Sequence, residues 1–303
     1  MKPLSPLTGS TQVVLLQTIS SQQLIHDWQQ QLQIDITSEL KGYPEIYLYQ
    51  CQQTGLKFFS PLDIAGSSHL YEALQQYPWY YLPDRWEHQV ALKDLADCHT
   101  VLEIGCGSGD FVKSGLEAGL DIRGIELNQA AVLAAQNQGL PVEYLDLQDA
   151  AKLYHSSLDG VCSFQVLEHV PDPKHFIGLA IEMLKPGGKL ILCVPNSDSI
   201  FQYHPNLLLD QPPHHLYRWS ARSLKALEQL FPIQLATVRL EPLAAYHVPL
   251  YVECCTHRFS SQSQFWKLLF NRYTNTIYQT ILNFGFRNHL TGMALYGQFH
   301  KLK

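Results

Sequence analysis

The segment Glu103-Ile-Gly105-Cys106-Gly107-Ser-Gly109 is the first place where this sequence offers chemistry. Glycines at alternate positions let a backbone turn tightly and approach a ligand without Cβ clashes. A dinucleotide fingerprint, G-x-G-x-x-G, would need glycine at position 110. The chain has Asp110 there, an anion where a pyrophosphate would lie, so the spacing argues against NAD. Twenty-one residues after Gly105 stands Glu126. At the end of a second strand its carboxylate can accept hydrogen bonds from both hydroxyls of an unphosphorylated ribose. Asp146 follows at the end of a third strand, where an adenine edge would lie. Acidic residues at strand ends also cap the next helix, and that reading stands beside the functional one.

Two histidine-bearing sets come later. In Gln165-Val-Leu-Glu168-His169, the acid and imidazole either line a site or cap and pack the following loop. In Pro212-Pro-His214-His215-Leu-Tyr217-Arg-Trp219-Ser220, His214 or His215 can serve as base or acceptor contact, with His215 preferred and His169 as a third candidate. The alternative is an aromatic loop that docks the next helix through Trp219. Upstream, Tyr77-Pro-Trp79-Tyr80-Tyr81-Leu-Pro-Asp-Arg-Trp86 holds five aromatics in ten residues, read as a clamp of the N-terminal region on the core.

The elements that position these residues alternate regularly from about residue 99. Strand-like runs begin at Thr100, Asp121, Val142, Asp159 and Lys189, with helical patterns between them. Gly119 and Gly139 stop two helices, Asn128 caps one, and Asp172-Pro173 opens another. Phe176, Leu179, Ala180, Met183 and Leu184 give that helix one buried face. Such alternation predicts an open, doubly wound α/β sheet. Gln234–Pro242 and Leu290–His300 read as closing strands around a largely helical, aromatic insertion at 246–289.

Composition narrows the function classes. At 303 residues and 46% apolar content, the chain can bury a large core, which excludes a disulfide miniprotein and wholesale disorder. With no run of 18 apolar residues, no transmembrane helix is expected, and Val13–Leu16 is too short for a signal-peptide core. Seven cysteines without a C-x-x-C indicate reduced, cytoplasmic usage. The net charge of −6 opposes nucleic-acid binding, although residues 254–303 carry six cations and no carboxylate.

VLEIGCGSGDF, GIELN, YLDLQD and FQVLEHVPDP…LKPGG resemble the ordered motifs of class I S-adenosylmethionine-dependent methyltransferases. The resemblance spans about 99–245 and 290–300 and includes a branch with a P-P-H-H-x-x-R-W-S segment. It implies a Rossmann-like seven-stranded sheet in the order 3-2-1-4-5-7-6, with strand 7 antiparallel. It places Gly105, Cys106, Gly107 and Gly109 around the methionine moiety, supported by Glu103. Glu126 and Leu127 fall at the ribose, Asp146 and Leu147 at the adenine, and Gln165 near the sulfonium. Ubiquinone-type O-methyltransferases hold a divalent metal on E-x-x-E-H; Gln165 replaces the first acid here, so no metal ligand is assigned. Tyr49-Gln-Cys51-Gln-Gln-Thr54-Gly55-Leu56 is similar to half of a C-x-x-C-G-L zinc knuckle and is read as a metal-free remnant.

The expectation is methyl transfer to a small, apolar or aromatic acceptor, at oxygen before nitrogen. Metal-assisted catechol-type O-methylation and a non-catalytic cofactor-binding role are the alternatives. Residues 1–98 form an N-terminal extension that caps or selects substrate; 99–303 form the catalytic domain. In the insertion, Leu269, Tyr273, Ile277 and Ile281 recur at i+4. That face serves as a lid, packs on the sheet, forms a dimer face or, as a minority reading, rests on an anionic membrane.

Overall fold

Two sheets organise the chain in the computed structural model, which describes residues 2–77, 79–80, 85–204, 207–260 and 263–303. Strands β1 (Val13–Ser20), β2 (Glu45–Cys51) and β3 (Lys57–Ser60) form an antiparallel meander, with α1 (Ser21–Leu32) between the first two. Helices α2 (Ser68–Gln75) and α3 (Trp86–Asp94) lead to the larger sheet. Its alternating part runs β4 (Thr100–Ile104), α4 (Asp110–Glu117), β5 (Asp121–Glu126), α5 (Gln129–Gln136) and β6 (Val142–Tyr144). It continues through α6 (Leu147–Leu153), β7 (Leu158–Phe164), α7 (Pro173–Met183) and β8 (Leu184–Pro195). The short β9 (Tyr217–Arg218) and α8 (Ala221–Lys225) precede β10 (Ile233–Pro242). Helices α9 (Val248–Ser260), α10 (Gln264–Leu269) and α11 (Arg272–Asn283) then intervene before β11 (Thr291–Lys301). The spatial order is β6-β5-β4-β7-β8-β11-β10, and β11 is antiparallel to both neighbours, which is the expected 3-2-1-4-5-7-6.

Local chemistry explains these boundaries. Asn128 accepts the Ala131 amide at the start of α5, and Asp172 accepts the His175 amide ahead of Pro173. Such caps contribute about 1 kcal/mol each. Gly124 on β5 has no room for a side chain, since a Cβ would lie 2.5 Å from Cys106 Sγ. Strand and glycine loop are therefore pressed together.

Residues on both sides of position 98 share one apolar core: Trp28, Phe58 and Phe59 pack in the same cluster as Leu102, Leu192, Trp219 and Phe299. The contact is also a sheet, because β3 pairs with β9 through Lys57–Arg218 and Phe58–Tyr217. The half-knuckle at Cys51–Thr54 is the hairpin turn between β2 and β3, closed by the Gly55 amide on the Cys51 carbonyl at 2.8 Å. All seven cysteines are free thiols.

The helical insertion packs by one face only. Phe259 stacks on Phe270, and Phe270 on Tyr278, at 5.1 and 5.2 Å between ring centres. The expected i+4 stripe is divided: Leu269 ends α10 and is half-buried, whereas Tyr273, Ile277 and Ile281 on α11 are exposed, with Phe284 beside them. Among the described residues no helix is long and apolar enough to cross a membrane.

Candidate active site

The glycine loop sits at the carboxyl end of β4. Gly105, Gly107 and Gly109 all adopt positive φ, at 71°, 53° and 84°. Glu126 closes β5 and ties the loop down: Oε2 accepts the Gly107 amide at 3.0 Å, and Oε1 accepts the Leu127 and Asn128 amides at 2.7 and 2.8 Å. Three of a carboxylate's roughly four acceptor positions are thus committed to backbone. A ribose diol placed here must share or displace one of these amides. Leu127 is 62% exposed and so is Tyr144, which stands in register with Glu126 on the neighbouring strand. Two large apolar groups left open beside a carboxylate fit a purine nucleoside. Tyr144 was not anticipated, because nothing in its local pattern separates it from a strand-surface residue.

Glu103 lies beneath the loop, buried, with Oε2 lacking any hydrogen-bond partner. Burial, reinforced by Asp110 and Glu126, pushes its carboxyl up to about 8. Cys106 turns its thiol inward against Gly124, and burial pushes that thiol well above its usual range. Only backbone at 106 therefore serves the loop. Asp146 lies two residues beyond β6 and caps α6, its Oδ1 accepting the Asp149 amide at 2.8 Å, while Leu147 begins that helix and packs against the core. The capping reading of Asp146 is realised. The cradle of left-handed glycines, the anchoring Glu126 and the open apolar pair fit S-adenosylmethionine.

Gln165 takes a left-handed backbone at φ 55°, which is uncommon for a non-glycine residue. Its amide donates to the Cys193 carbonyl at 2.8 Å and its Nε2 donates to Glu87 Oε1 at 3.4 Å. The next residue, Val166, packs on the glycine loop so closely that a Cβ at Gly105 would meet it at 2.5 Å. This turn joins the loop to a second polar centre.

That centre gathers all three histidines nominated from the sequence. One ring nitrogen from each of His169, His214 and His215 lies within 4.8 Å of the others. His169 Nδ1 contacts the His214 carbonyl at 2.6 Å, and His214 Nδ1 contacts the Leu209 carbonyl at 2.8 Å. Carbonyls only accept, so both Nδ1 atoms carry the proton. His215 Nδ1 faces Asp210 Oδ1 at 3.4 Å. Burial lowers His169 to about 4 and both other imidazoles well below their usual value, so all three are neutral at pH 7. Glu168 is 1% exposed and neither carboxylate oxygen has a hydrogen-bond partner. Burial pushes it up to about 8.

The N-terminal region helps build this centre. Tyr80 Oη bonds His214 Nε2 at 2.9 Å, and the Tyr71 ring meets the His169 ring edge-on at 5.6 Å. Tyr80 belongs to the aromatic segment singled out from the sequence; its companion Tyr81 lies outside the described residues. Tyr71 and Asp210 carried no local signal. Trp219 anchors the segment as expected, fully buried, with its carbonyl accepting the Ser197 amide at 2.8 Å. The metal pattern E-x-x-E-H is not reproduced, because Gln165 is uncharged and its amide is directed at Glu87.

Comparisons with known proteins agree with this fold. The chain is 37% identical over 120 residues to a ubiquinone biosynthesis O-methyltransferase of Xanthomonas oryzae, covering 38% of this chain and 50% of the relative. It is 33% identical over 102 residues to the Photorhabdus laumondii protein of the same name, covering 32% and 42%. The chain thus spans about half the length, or less, of these curated relatives. A solved SAM-dependent methyltransferase of Thermotoga maritima shares the fold, with a TM-score of 0.50 at 17% identity over 78% of this chain and 100% of that one. The methyltransferase-domain family matches residues 79–231, half of the chain. A match of that extent, on a sheet of this order, means that the chain belongs to the methyltransferase-domain family, whose methyl donor is S-adenosylmethionine.

Proposed function

We propose that this chain methylates a hydroxyl of a small-molecule acceptor. The observation that carries the reading is the convergence of three neutral imidazoles beside the turn that contacts the glycine loop. The donor, when bound, supplies a methyl group on a sulfonium, and alignment of the acceptor does most of the remaining work. The chain's own part is then threefold. Gly105, Gly107 and Glu126 hold the donor, the 165–169 turn separates donor from acceptor, and His215 or His214 receives the acceptor's hydroxyl proton. An imidazole that burial holds well below its usual value is a weak base, yet an oxygen attacking a sulfonium becomes strongly acidic as the bond forms. A weak, well-placed base therefore suffices. The names of the relatives, which specify O-methylation, favour oxygen over nitrogen.

The test is a screen of hydroxylated aromatic and apolar small molecules with methyl-labelled donor. Label is expected on oxygen, with His214→Ala and His215→Ala lowering turnover about 10²–10⁴-fold. Turnover untouched in both variants overturns the assignment of the proton acceptor. Label confined to nitrogen overturns the acceptor class.

A further inference from the structure

The E-x-x-E-H pattern fails in this chain, but a different donor set stands in its place. The three Nδ1 atoms are all committed to oxygens: two carbonyls and the Asp210 carboxylate. That leaves Nε2 on each ring as the atom a ligand could take, with His214 Nε2 hydrogen-bonded to Tyr80 Oη, and one nitrogen from each of the three rings lies within 4.8 Å of the others. Histidines that bind metals show this arrangement, in which an oxygen acceptor on one ring nitrogen fixes the tautomer and aims the other. Beside them the Glu168 carboxylate lies 3.7 Å from His169 Nε2, buried and without a hydrogen-bond partner. An unpaired buried carboxyl is costly to maintain, and a nearby cation removes that cost.

We propose that His169, His214 and His215 bind one divalent first-row transition ion through their Nε2 atoms, with the Glu168 carboxylate as its charge partner. Three imidazoles and one carboxylate suit zinc or cobalt, whereas magnesium favours all-oxygen sets. In a tetrahedral site with metal–nitrogen bonds of about 2.0–2.1 Å, the nitrogens stand about 3.4 Å apart. The rings, whose nitrogens lie within 4.8 Å of one another, close by up to about 1.4 Å. Tyr80 Oη, which bonds His214 Nε2, yields that lone pair to the ion. Three protein nitrogens and one carboxylate leave room for ligand expansion, through which an acceptor oxygen can reach the ion.

The proposal rests on the acceptor-side reading for the ion's use: in the metal-free chain His215 or His214 takes the acceptor's proton, whereas with the ion bound their Nε2 lone pairs are occupied and the ion would activate the acceptor oxygen instead. Metal uptake is nevertheless measured with neither donor nor acceptor present, so the two ideas fail separately. Full-length protein is stripped with chelator and titrated with cobalt(II) alone. One cobalt per chain is expected, with visible ligand-field absorption that millimolar magnesium does not displace. His169→Ala and His215→Ala should each weaken binding at least about 100-fold. Asp210→Asn, which removes no nitrogen ligand, should weaken it about 10–100-fold. Because a buried substitution can unfold the chain, the wild type supplies an independent readout. Its cobalt form should show three exchangeable, paramagnetically shifted proton resonances, one from each Nδ1–H. Substoichiometric uptake, displacement by magnesium, or fewer than three such resonances overturns the proposal.

Discussion

The two halves of the candidate site are built in opposite ways. The glycine-loop half is made from short contiguous segments at the ends of adjacent parallel strands. Its ligand-facing carboxylate, Glu126, is already satisfied by three backbone amides. The histidine half draws on α2, the Tyr80 region, the turn after β7 and the segment before β9. Several of its polar atoms, both Glu168 oxygens above all, have no partner. One half therefore presents a preformed backbone cradle, while the other presents side chains awaiting a ligand. The difference teaches that donor recognition here is local, whereas acceptor chemistry depends on how the N-terminal sheet holds a distant loop.

The largest expected effect tests that dependence. Trp219 is fully buried, follows β9 directly, and packs among the residues that join the two sheets. Trp219→Ala should cost about 3–5 kcal/mol of stability, read by thermal or denaturant unfolding. In the fraction still folded, donor affinity should stay within about twofold while turnover falls. A parallel loss of donor affinity would erase the distinction between the halves.

On the donor side, Glu126→Ala should weaken binding of S-adenosylmethionine by about 1–3 kcal/mol, measured by calorimetry, through lost charged hydrogen bonds. Turnover at saturating donor should barely change, because the histidine half is untouched. Donor affinity indifferent to this substitution would remove Glu126 from the site altogether.

The same contrast decides what could be read from the sequence. The alternation of strands and helices, the caps at Asn128 and Asp172, and the glycine loop with Glu126 are encoded within windows of about twenty residues, where periodicity and turn chemistry operate, whereas the sheet order came from the family resemblance. The histidines were legible as candidates but not as a cluster. His169 and His214 are separated by 45 positions, and their segments are brought together by non-local contacts such as the Leu216 amide on the Glu168 carbonyl at 2.8 Å and Tyr217 Oη on the Pro171 carbonyl at 2.8 Å. The pairing of β3 with β9 is two residue pairs long and non-local, so no pattern announced it. Asp146 carried two readings, an adenine contact and a helix cap, because the same residue type serves both, and the cap at the start of α6 is the contact that the fold displays. The i+4 spacing of Leu269, Tyr273, Ile277 and Ile281 hid the helix end after Leu269, and periodicity does not say whether a face meets protein or solvent.

The last contrast concerns a group under the donor cradle that shares the other half's lack of partners. Glu103 is held near 8 in the folded chain by burial, against an ordinary value of 4.5. Below 4.5 both folded and unfolded states carry the proton, and burial costs nothing. As pH rises from 4.5 to 8, the unfolded chain releases its proton while the folded chain retains it, so unfolding gains ground. Stability should therefore fall across that window and level off above it. Glu103→Gln removes the titration, and its melting temperature should overtake that of the wild type as pH climbs. Each 1 kcal/mol of retained burial cost corresponds to roughly 2–4 °C or less at this chain length. A melting difference independent of pH between 5 and 9 would mean that Glu103 stays ionised in the fold. Its unpartnered oxygen would then need a cation, and the two halves of the site would be more alike than their hydrogen bonds indicate.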